Sequence, residues 1–169
     1  STDATEYIEL KNTGNDPIEL GGLLIQKWNG SGNIQYDPTI VLSAFTLAAG
    51  DYYVIGSATV PNVDQVSFTT NGIQNGPDGV RLTTAGGTII DQMSYGTGVL
   101  SSTETAPSIT DLSSVAGISL SRVPDGVDSG DNSIDFIRAC ASPGSDNTQP
   151  DADNDGTPDC LDVCPGGPE

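Results

Sequence analysis

Short apolar runs bounded by turn-forming residues are the feature that most constrains the fold of this chain. In Tyr7-Ile8-Glu9-Leu10 the apolar Ile8 and Leu10 fall on one side of an extended backbone, which is the period of a β-strand. No stretch keeps a 3.6-residue period, and 21 glycines and 11 prolines supply frequent turns. The pattern predicts an all-β sandwich or small barrel, with strands at Glu6–Leu10, Leu23–Trp28, Tyr52–Gly56, Gly79–Thr83, Thr88–Tyr95 and Ile118–Arg122.

Connections between these runs differ in length. Thr84–Thr88 contains Gly86-Gly87 between two strand-like runs and predicts a hairpin turn. Asn29–Pro38 is polar and glycine-rich, and Gly96–Gly117 is long and rich in serine and threonine. We expect both to be loops, the longer one a surface loop, with a functional loop or mobile insertion as its alternatives.

Charge excludes several classes of partner. The chain has 23 acidic side chains, 5 basic ones and no histidine, for a formal net charge of −18. Phosphate binding needs clusters of Lys and Arg, so nucleic acid and anionic membrane surfaces are not expected partners. No apolar stretch is long enough for membrane insertion. The absence of histidine removes the usual general base and the Ser-His and Cys-His nucleophile pairs, so we expect no enzyme.

Composition divides the chain into two predicted parts. Residues 1–147 carry the strand-like runs and are expected to form one β-sandwich domain. Residues 148–169 are acidic, contain no Lys or Arg, and have too few apolar side chains to build a core. Either something other than a hydrophobic core orders the second part, or it stays disordered.

The spacing of acidic residues in that second part is typical of a calcium loop. In Asp151–Asp162, carboxylates stand at relative positions 1, 3, 5, 9 and 12, and Gly156 at position 6 permits a sharp turn. Calcium needs six to eight oxygens, whereas the small octahedral shell of magnesium rarely fits such a cage. Position 12 is Asp rather than Glu, and no flanking helices are predicted, which separates the loop from an EF-hand. The predicted ligands are Asp151, Asp153, Asp155, the carbonyl of Thr157, Asp159 and Asp162, with a solvated acidic linker as the alternative.

The same segment resembles a thrombospondin type 3 repeat. The resemblance rests on the Asp spacing and on Asp159-Cys160-Leu161-Asp162-Val163-Cys164-Pro165. It implies an extracellular calcium-binding segment stapled by a disulfide between Cys140 and Cys160, with Cys160–Cys164 as the second choice. Cys164 is then left to pair with a further repeat, to pair with another subunit, or to stay free.

Short pieces in the body of the chain carry a second resemblance. They are Glu6–Asn12, Ile18–Leu23, Leu47–Gly56, Gly79–Leu82 with Asp91 and Tyr95-Gly96, Ser119–Arg122 with Asp125-Gly126 and Asp128, Asp135-Phe136, and Ser142–Gly144 with Asn147. In this order the pieces resemble a lamin tail domain, an immunoglobulin-like β-sandwich. In bacteria this family occurs as a non-catalytic accessory module of secreted or surface proteins, so the resemblance implies attachment or scaffolding and no catalytic residues. The long Gly96–Gly117 insertion and the acidity depart from the family pattern.

Two further groups of residues have a functional and a structural interpretation. Asp125, Asp128, Asp131 and Asp135 are either a second calcium site or turn residues that cap their own backbone, and we expect the latter, with Arg122 or Arg138 neutralising one carboxylate. Trp28 and the pair Tyr52-Tyr53 are either carbohydrate-stacking aromatics or packing residues, and we expect packing.

These observations are compatible with three functions. The first is a non-enzymatic, extracellular adhesion or scaffold module in which calcium is structural and the partner is a cell surface or matrix component. The second is a self-assembling subunit of an extracellular filament or surface layer, held by strand edges, calcium or Cys164. The third is a carbohydrate-binding module.

Overall fold

The structure, a computed structural model, describes residues 4–30, 33–69, 71–96 and 117–164. The predicted Gly96–Gly117 loop therefore lies, apart from its two end residues, outside the described residues. The described part contains one helix, α1 (Asn132–Asp135). Its strands are β1 (Tyr7–Lys11), β2 (Ile18–Glu19), β3 (Leu24–Asn29), β4 (Ile34–Val41), β5 (Thr46–Leu47), β6 (Tyr52–Gly56), β7 (Gln65–Val66), β8 (Asp78–Thr83), β9 (Ile89–Tyr95), β10 (Ile118–Arg122) and β11 (Phe136–Cys140).

The larger strands form two sheets. One has the order β4-β3-β8-β9 and is antiparallel throughout. The other has the order β1-β6-β7, in which β1 and β6 are antiparallel and β7 runs parallel to β6. The short pair β2-β5 and the C-terminal hairpin β10-β11 complete the described fold.

A hydrophobic core lies between the two sheets. The sheet with β3 contributes Ile25, which is paired in register with Ile40 of β4 and Leu82 of β8. The sheet with β1 contributes Ile55 and Tyr53, which are paired with Ile8 and Leu10. Two sheets that bury alternate residues against each other form a sandwich. This all-β architecture is consistent with the expected immunoglobulin-like β-sandwich.

The opposite face of β1 is covered by the C-terminal part of the chain. Val54, the register partner of Glu9, has 0% of its surface exposed although it points away from the core. The hydroxyl of Tyr7 contacts Ser119 of β10 and Ser142, which follows β11. The β10-β11 hairpin and the residues after it therefore hold Tyr7 and Glu9 in a partly buried layer.

All six predicted strands are present, each within one residue of its predicted start and end. The hairpin at Thr84–Thr88 is confirmed by the bond from the Thr84 amide to the Thr88 carbonyl, at 2.9 Å. The prediction that Asn29–Pro38 is a loop is wrong in its second half, because β4 begins at Ile34. Strand β4 has no regular alternation of apolar and polar residues in its sequence. It lies at the edge of its sheet, where residues such as Ile34 remain exposed, and its pairing with β3 shifts register between Ile25 and Lys27.

Membrane-spanning helices are not found in the described ranges. The helix α1 has four residues, well short of the roughly 20 apolar residues that cross a bilayer as a helix.

Candidate metal centre

The acidic loop is fastened to the end of β11. Cys140, the last residue of β11, forms a disulfide with Cys160, with a Cα–Cα distance of 5.5 Å. The amide of Cys140 also donates a hydrogen bond to Oε1 of Gln149, at 3.4 Å. Further along, the Asp159 amide donates to the carbonyl of Pro150, at 2.7 Å, which closes the base of the loop. These contacts give the segment a fixed position without a hydrophobic core of its own.

Backbone amides hold each carboxylate of the loop by one oxygen. Asp151 Oδ2 accepts from the Gly156 amide at 3.0 Å, and Asp153 Oδ1 accepts from the Asp155 amide at 3.3 Å. Asp155 Oδ1 accepts from the Thr157 amide at 2.7 Å. Bonds of this kind curl the chain and leave the second oxygen of each carboxylate for another partner.

Three of these carboxylates converge. One oxygen from each of Asp151, Asp153 and Asp155 lies within 4.8 Å of the others. Gly156 has a φ of +94°, the left-handed conformation that the sequence predicted for the sharp turn. Because like charges repel at this separation, the arrangement favours a cation between them.

Two buried oxygens in the loop have no hydrogen-bond partner. They are Oδ1 of Asp151 and Oδ2 of Asp162. A buried carboxylate oxygen without a donor is costly, and a bound cation is one way to compensate it. The donor set is made of hard carboxylate oxygens, which fits calcium better than a soft metal.

The remaining predicted ligands occupy different positions around the loop. Asp159 Oδ1 accepts from the Ala152 amide at 2.8 Å and so bridges the two sides of the loop. Asp162 Oδ1 accepts from the Cys164 amide at 2.8 Å. Neither residue belongs to the converging group of three among the described residues. The amide of Thr157 donates a hydrogen bond to Asp155 Oδ1.

The cysteines follow the first of the two pairings that the thrombospondin type 3 resemblance implied. The disulfide joins Cys140 and Cys160, and not Cys160 and Cys164. Cys164 is free and exposed.

The second acidic cluster is built as a capped turn. Asp131 is the N-cap of α1, and its carboxylate accepts from the Ser133 amide. Asp128 Oδ1 accepts from the Gly130 amide at 3.0 Å, and Asp135 Oδ2 accepts from the Ser129 amide at 2.9 Å. These bonds favour the expected structural interpretation over a second calcium site.

Arg122 neutralises the carboxylates around that turn. Its guanidinium bonds Asp128 at 3.2 Å, Asp135 at 3.0 Å and Asp91 at 3.0 Å, and lies 4.5 Å from the ring centre of Phe136. Burial alone would raise the pKa of Asp135, but hydrogen bonds from Ser129 and the charge of Arg122 hold it below its usual range.

The fourth member, Asp125, belongs to a different contact. Its carboxylate bonds the ammonium of Lys11 and the hydroxyl of Tyr52, and it accepts from Asn147 Nδ2 at 3.0 Å. Burial would raise the pKa of Asp125, but the bonds from Lys11 and Tyr52 outweigh it and hold the pKa low. The cluster of four acids is therefore two structural sites, one around Arg122 and one around Lys11.

The aromatic residues considered for carbohydrate stacking do not form an exposed platform. Tyr53 is 1% exposed and packs on Phe45 with ring centres 4.9 Å apart. Tyr52 bonds Asp125, and the guanidinium of Arg81 lies 4.5 Å from the ring centre of Trp28. All three side chains serve packing or hydrogen bonding, as expected.

The contacts that attach the acidic segment to the β-sheet are not predicted from the sequence. Asn147 donates to Asp125 and to the carbonyl of Arg122, and Ser142 Oγ donates to Asn147 Oδ1 at 2.9 Å. Glu9 of β1 accepts from the Gly144 amide. Ser142–Gly144 and Asn147 are among the pieces of the lamin tail resemblance, but the resemblance assigns them no contacts. Apart from Ser142 and Asn147, the partners lie more than 20 residues apart along the chain.

The family model described as Lamin Tail Domain matches residues 1–97, more than half of the 169 residues. No curated protein matches the chain.

Proposed function

The chain belongs to the lamin tail domain family, and from that premise we propose that it is a non-enzymatic, extracellular adhesion or scaffold module whose acidic C-terminal segment binds calcium. Calcium has a structural role in this proposal, and the partner is a cell surface or matrix component. A family of immunoglobulin-like, non-catalytic domains is compatible with scaffolding. The chain also lacks histidine, the commonest general base.

One observation carries the calcium assignment. The oxygens of Asp151, Asp153 and Asp155 converge within 4.8 Å, and Asp151 Oδ1 is buried without a donor. Amides of Gly156, Asp155 and Thr157 already fix one oxygen of each carboxylate, so little ordering remains when a cation binds. Asp162 Oδ2 is a further candidate ligand, because it is also buried and unpartnered. Asp159 and the carbonyl of Thr157 complete the proposed set.

The thrombospondin type 3 resemblance agrees with this proposal in two respects. The Asp spacing repeats that family's pattern, and the Cys140–Cys160 bond is the pairing that the resemblance implies. We therefore propose a lamin-tail-like domain over residues 1–147 followed by a thrombospondin type 3-like segment over 148–169. The disulfide and the Gln149–Cys140 bond cross that boundary, so the two parts are tied together. A disulfide also supports an oxidising, extracellular location.

Calorimetric titration of the intact, non-reduced chain tests calcium binding. We expect one calcium site tighter than about 1 mM, within the range of extracellular modules, and weaker binding of magnesium. Asp153→Asn with Asp155→Asn removes two converging carboxylates and should weaken calcium binding at least tenfold. Asp16→Asn removes one exposed charge far along the chain from the loop and serves as the control. Equal calcium affinity in the loop variant and the control would contradict the assignment.

Self-association is a second candidate function, favoured by the edge of the larger sheet. Strand β4 pairs only with β3 among the described strands, and Ile34 and Val41 at its two ends are 66% and 60% exposed. An open edge of this kind can pair with another chain. Sedimentation with calcium and with EDTA separates the candidates: a filament subunit assembles, whereas an accessory module stays monomeric in both.

A further inference from the structure

A strap of four residues, 147–150, connects the β-sandwich to the acidic loop. The side-chain oxygen of Gln149 accepts a hydrogen bond from the amide of Cys140 at the end of β11, at 3.4 Å. The carbonyl of Pro150 accepts from the Asp159 amide at 2.7 Å and so closes the base of the loop. The first of the proposed calcium ligands follows the strap directly. The position of the strap therefore decides where the loop begins.

Asn147, the first residue of the strap, uses both ends of its side-chain amide to reach the sandwich. Its Nδ2 donates to Oδ1 of Asp125 at 3.0 Å and to the carbonyl of Arg122 at 3.3 Å. Its Oδ1 accepts from the hydroxyl of Ser142 at 2.9 Å. All three contacts are partly buried. One side chain thus joins the strap to the end of β10, to the turn after β10 and to the residues after β11.

Asp125, the acceptor for Asn147, is itself fixed by the sheet that contains β1 and β6. Its second oxygen bonds the ammonium of Lys11 on β1 and the hydroxyl of Tyr52 on β6, and its side chain is 8% exposed. Because the carboxylate is held by these bonds, its Oδ1 is a fixed acceptor. Hydrogen bonds to a charged acceptor are among the stronger ones in proteins. The position of the strap therefore follows that of β1 and β6.

We propose that Asn147 is a positioning residue for the calcium site: its bonds to the sandwich hold the strap, and through it the acidic loop, in the arrangement that binds the cation. The inference rests on the calcium binding proposed above. Asn147 is not among the proposed ligands and acts through the strap. A loop that is already held in place loses less conformational freedom when a cation binds, so its affinity is higher. By linkage, the strap is also held more firmly in the calcium-bound chain.

Calorimetric titration of calcium into the intact, non-reduced chain tests this role. Asn147→Ala removes all three bonds and should weaken calcium binding by about fivefold or more, which corresponds to the entropy of fixing roughly one residue. Ser142→Ala removes only the bond to Oδ1 of Asn147 and should weaken binding in the same direction by a smaller factor. The matched control is Asn15→Ala, which removes an exposed amide between β1 and β2 and should leave the affinity unchanged.

An exchange of donor and acceptor separates positioning from a general loss of stability. Asn147→Asp cannot donate to Asp125 and places a second negative charge beside it, so it should weaken calcium binding at least as much as Asn147→Ala. Adding Asp125→Asn restores an amide donor opposite a carboxylate and should recover most of the lost affinity. Asp125→Asn also breaks the ion pair with Lys11. If Asn147 only supported the fold, the double variant would therefore bind calcium no better than Asn147→Asp.

Hydrogen exchange of the Asn147 side-chain amide, measured by NMR with calcium and with EDTA, tests the same coupling without a variant. Reciprocal linkage requires the protection of these hydrogens to be about fivefold higher with calcium. This measurement decides the question even if Asn147→Ala fails to fold.

Three results would overturn the positioning role and leave the calcium site itself in place. They are an unchanged calcium affinity in Asn147→Ala, an unchanged protection of the Asn147 side-chain amide, and a double variant that binds calcium no better than Asn147→Asp. The absence of calcium binding in the unmodified chain would overturn the proposed function and this inference with it.

Discussion

Asp125 shows how a single carboxylate joins distant parts of the chain. Its oxygens bond Lys11 of β1, Tyr52 of β6 and Asn147 of the segment after β11. The Asp125 side chain is 8% exposed and that of Lys11 25% exposed, so the ion pair is shielded from water mainly on its acidic side. Pairs of this kind contribute more than surface ion pairs because their charges are partly desolvated and hydrogen-bonded.

We predict that Asp125→Asn lowers the free energy of unfolding by about 2 kcal/mol at neutral pH. This is less than the cost of breaking a fully buried pair, because Lys11 can turn to solvent. The pKa of Asp125 is held low in the folded protein, so its contribution is present above the unfolded pKa and is lost as pH falls through the folded value. Urea denaturation at pH 7 and at pH 2 measures the difference between variant and unmodified chain.

The difference in the free energy of unfolding between Asp125→Asn and the unmodified chain should be smaller at pH 2 than at pH 7. Asp16→Asn, which removes an exposed carboxylate, is a suitable reference for the loss of one charge. A constant difference between Asp125→Asn and the unmodified chain at both pH values would contradict the ion-pair explanation.

At the scale of elements, the end of β11 connects the β-sandwich to the acidic segment. The Ala141 amide donates to the carbonyl of Gly117 and extends the β10-β11 pairing, while Cys140 connects to Gln149 and Cys160. The disulfide closes a 20-residue separation that spans the Ser142–Ser145 turn and the acidic loop from Asp151 to Asp159. The acidic segment therefore depends on a strand of the sandwich for its position.

We predict that replacing both Cys140 and Cys160 with Ser lowers the free energy of unfolding by about 3 kcal/mol, because the unfolded chain has more entropy without the cross-link. Denaturation followed by tryptophan fluorescence of Trp28 measures this loss in the β-sandwich itself. Cys164→Ser changes an exposed, free thiol and should leave stability within about 0.5 kcal/mol of the unmodified chain. An equal change in the free energy of unfolding in the Cys140/Cys160 double variant and in Cys164→Ser would show that the disulfide does not stabilise the sandwich.

The strands show how far local pattern predicts an element. Residues such as Ile8 and Leu10 alternate with polar neighbours because one face of β1 meets the core, so β1 is readable from the sequence. Strand β4 is not, because the exposed Ile34 and Val41 at its ends and the register shift opposite Ile25 and Lys27 disturb the alternation. The two-residue strands β2, β5 and β7 are too short to carry any period.

At the scale of the whole molecule, the basic residues are used for internal contacts. Lys27 is 2% exposed and donates to the carbonyl of Gly72 at 2.7 Å, and Arg81 is 8% exposed and donates to Gln92. Lys11 and Arg122 are paired with aspartates. The chain carries 23 acidic groups against five basic ones, and its net charge of −18 acts as self-repulsion.

We predict that salt stabilises the fold, in contrast to a protein held by surface ion pairs. Raising sodium chloride from about 0.01 M to about 1 M shortens the screening length from roughly 30 Å to roughly 3 Å and weakens this repulsion. The urea midpoint at pH 7 in EDTA should rise over that range. The same series at pH 3, where many carboxylates are protonated, should show a smaller rise. A midpoint that falls with salt at pH 7 would contradict the prediction.

The sequence by itself determined what depends on near neighbours along the chain. Short apolar runs between turn residues predicted six of the eleven described strands, Gly86-Gly87 predicted a hairpin turn, and the spacing of Asp151, Asp153 and Asp155 was enough to predict that their carboxylates converge. The tertiary structure decided which distant residues meet: Glu9 with Gly144, Lys11 with Asp125, and β11 with the acidic loop. Such contacts depend on how sheets and hairpins pack. The sequence around a polar strand residue does not indicate which distant residue will become its hydrogen-bond or ion-pair partner in the folded chain.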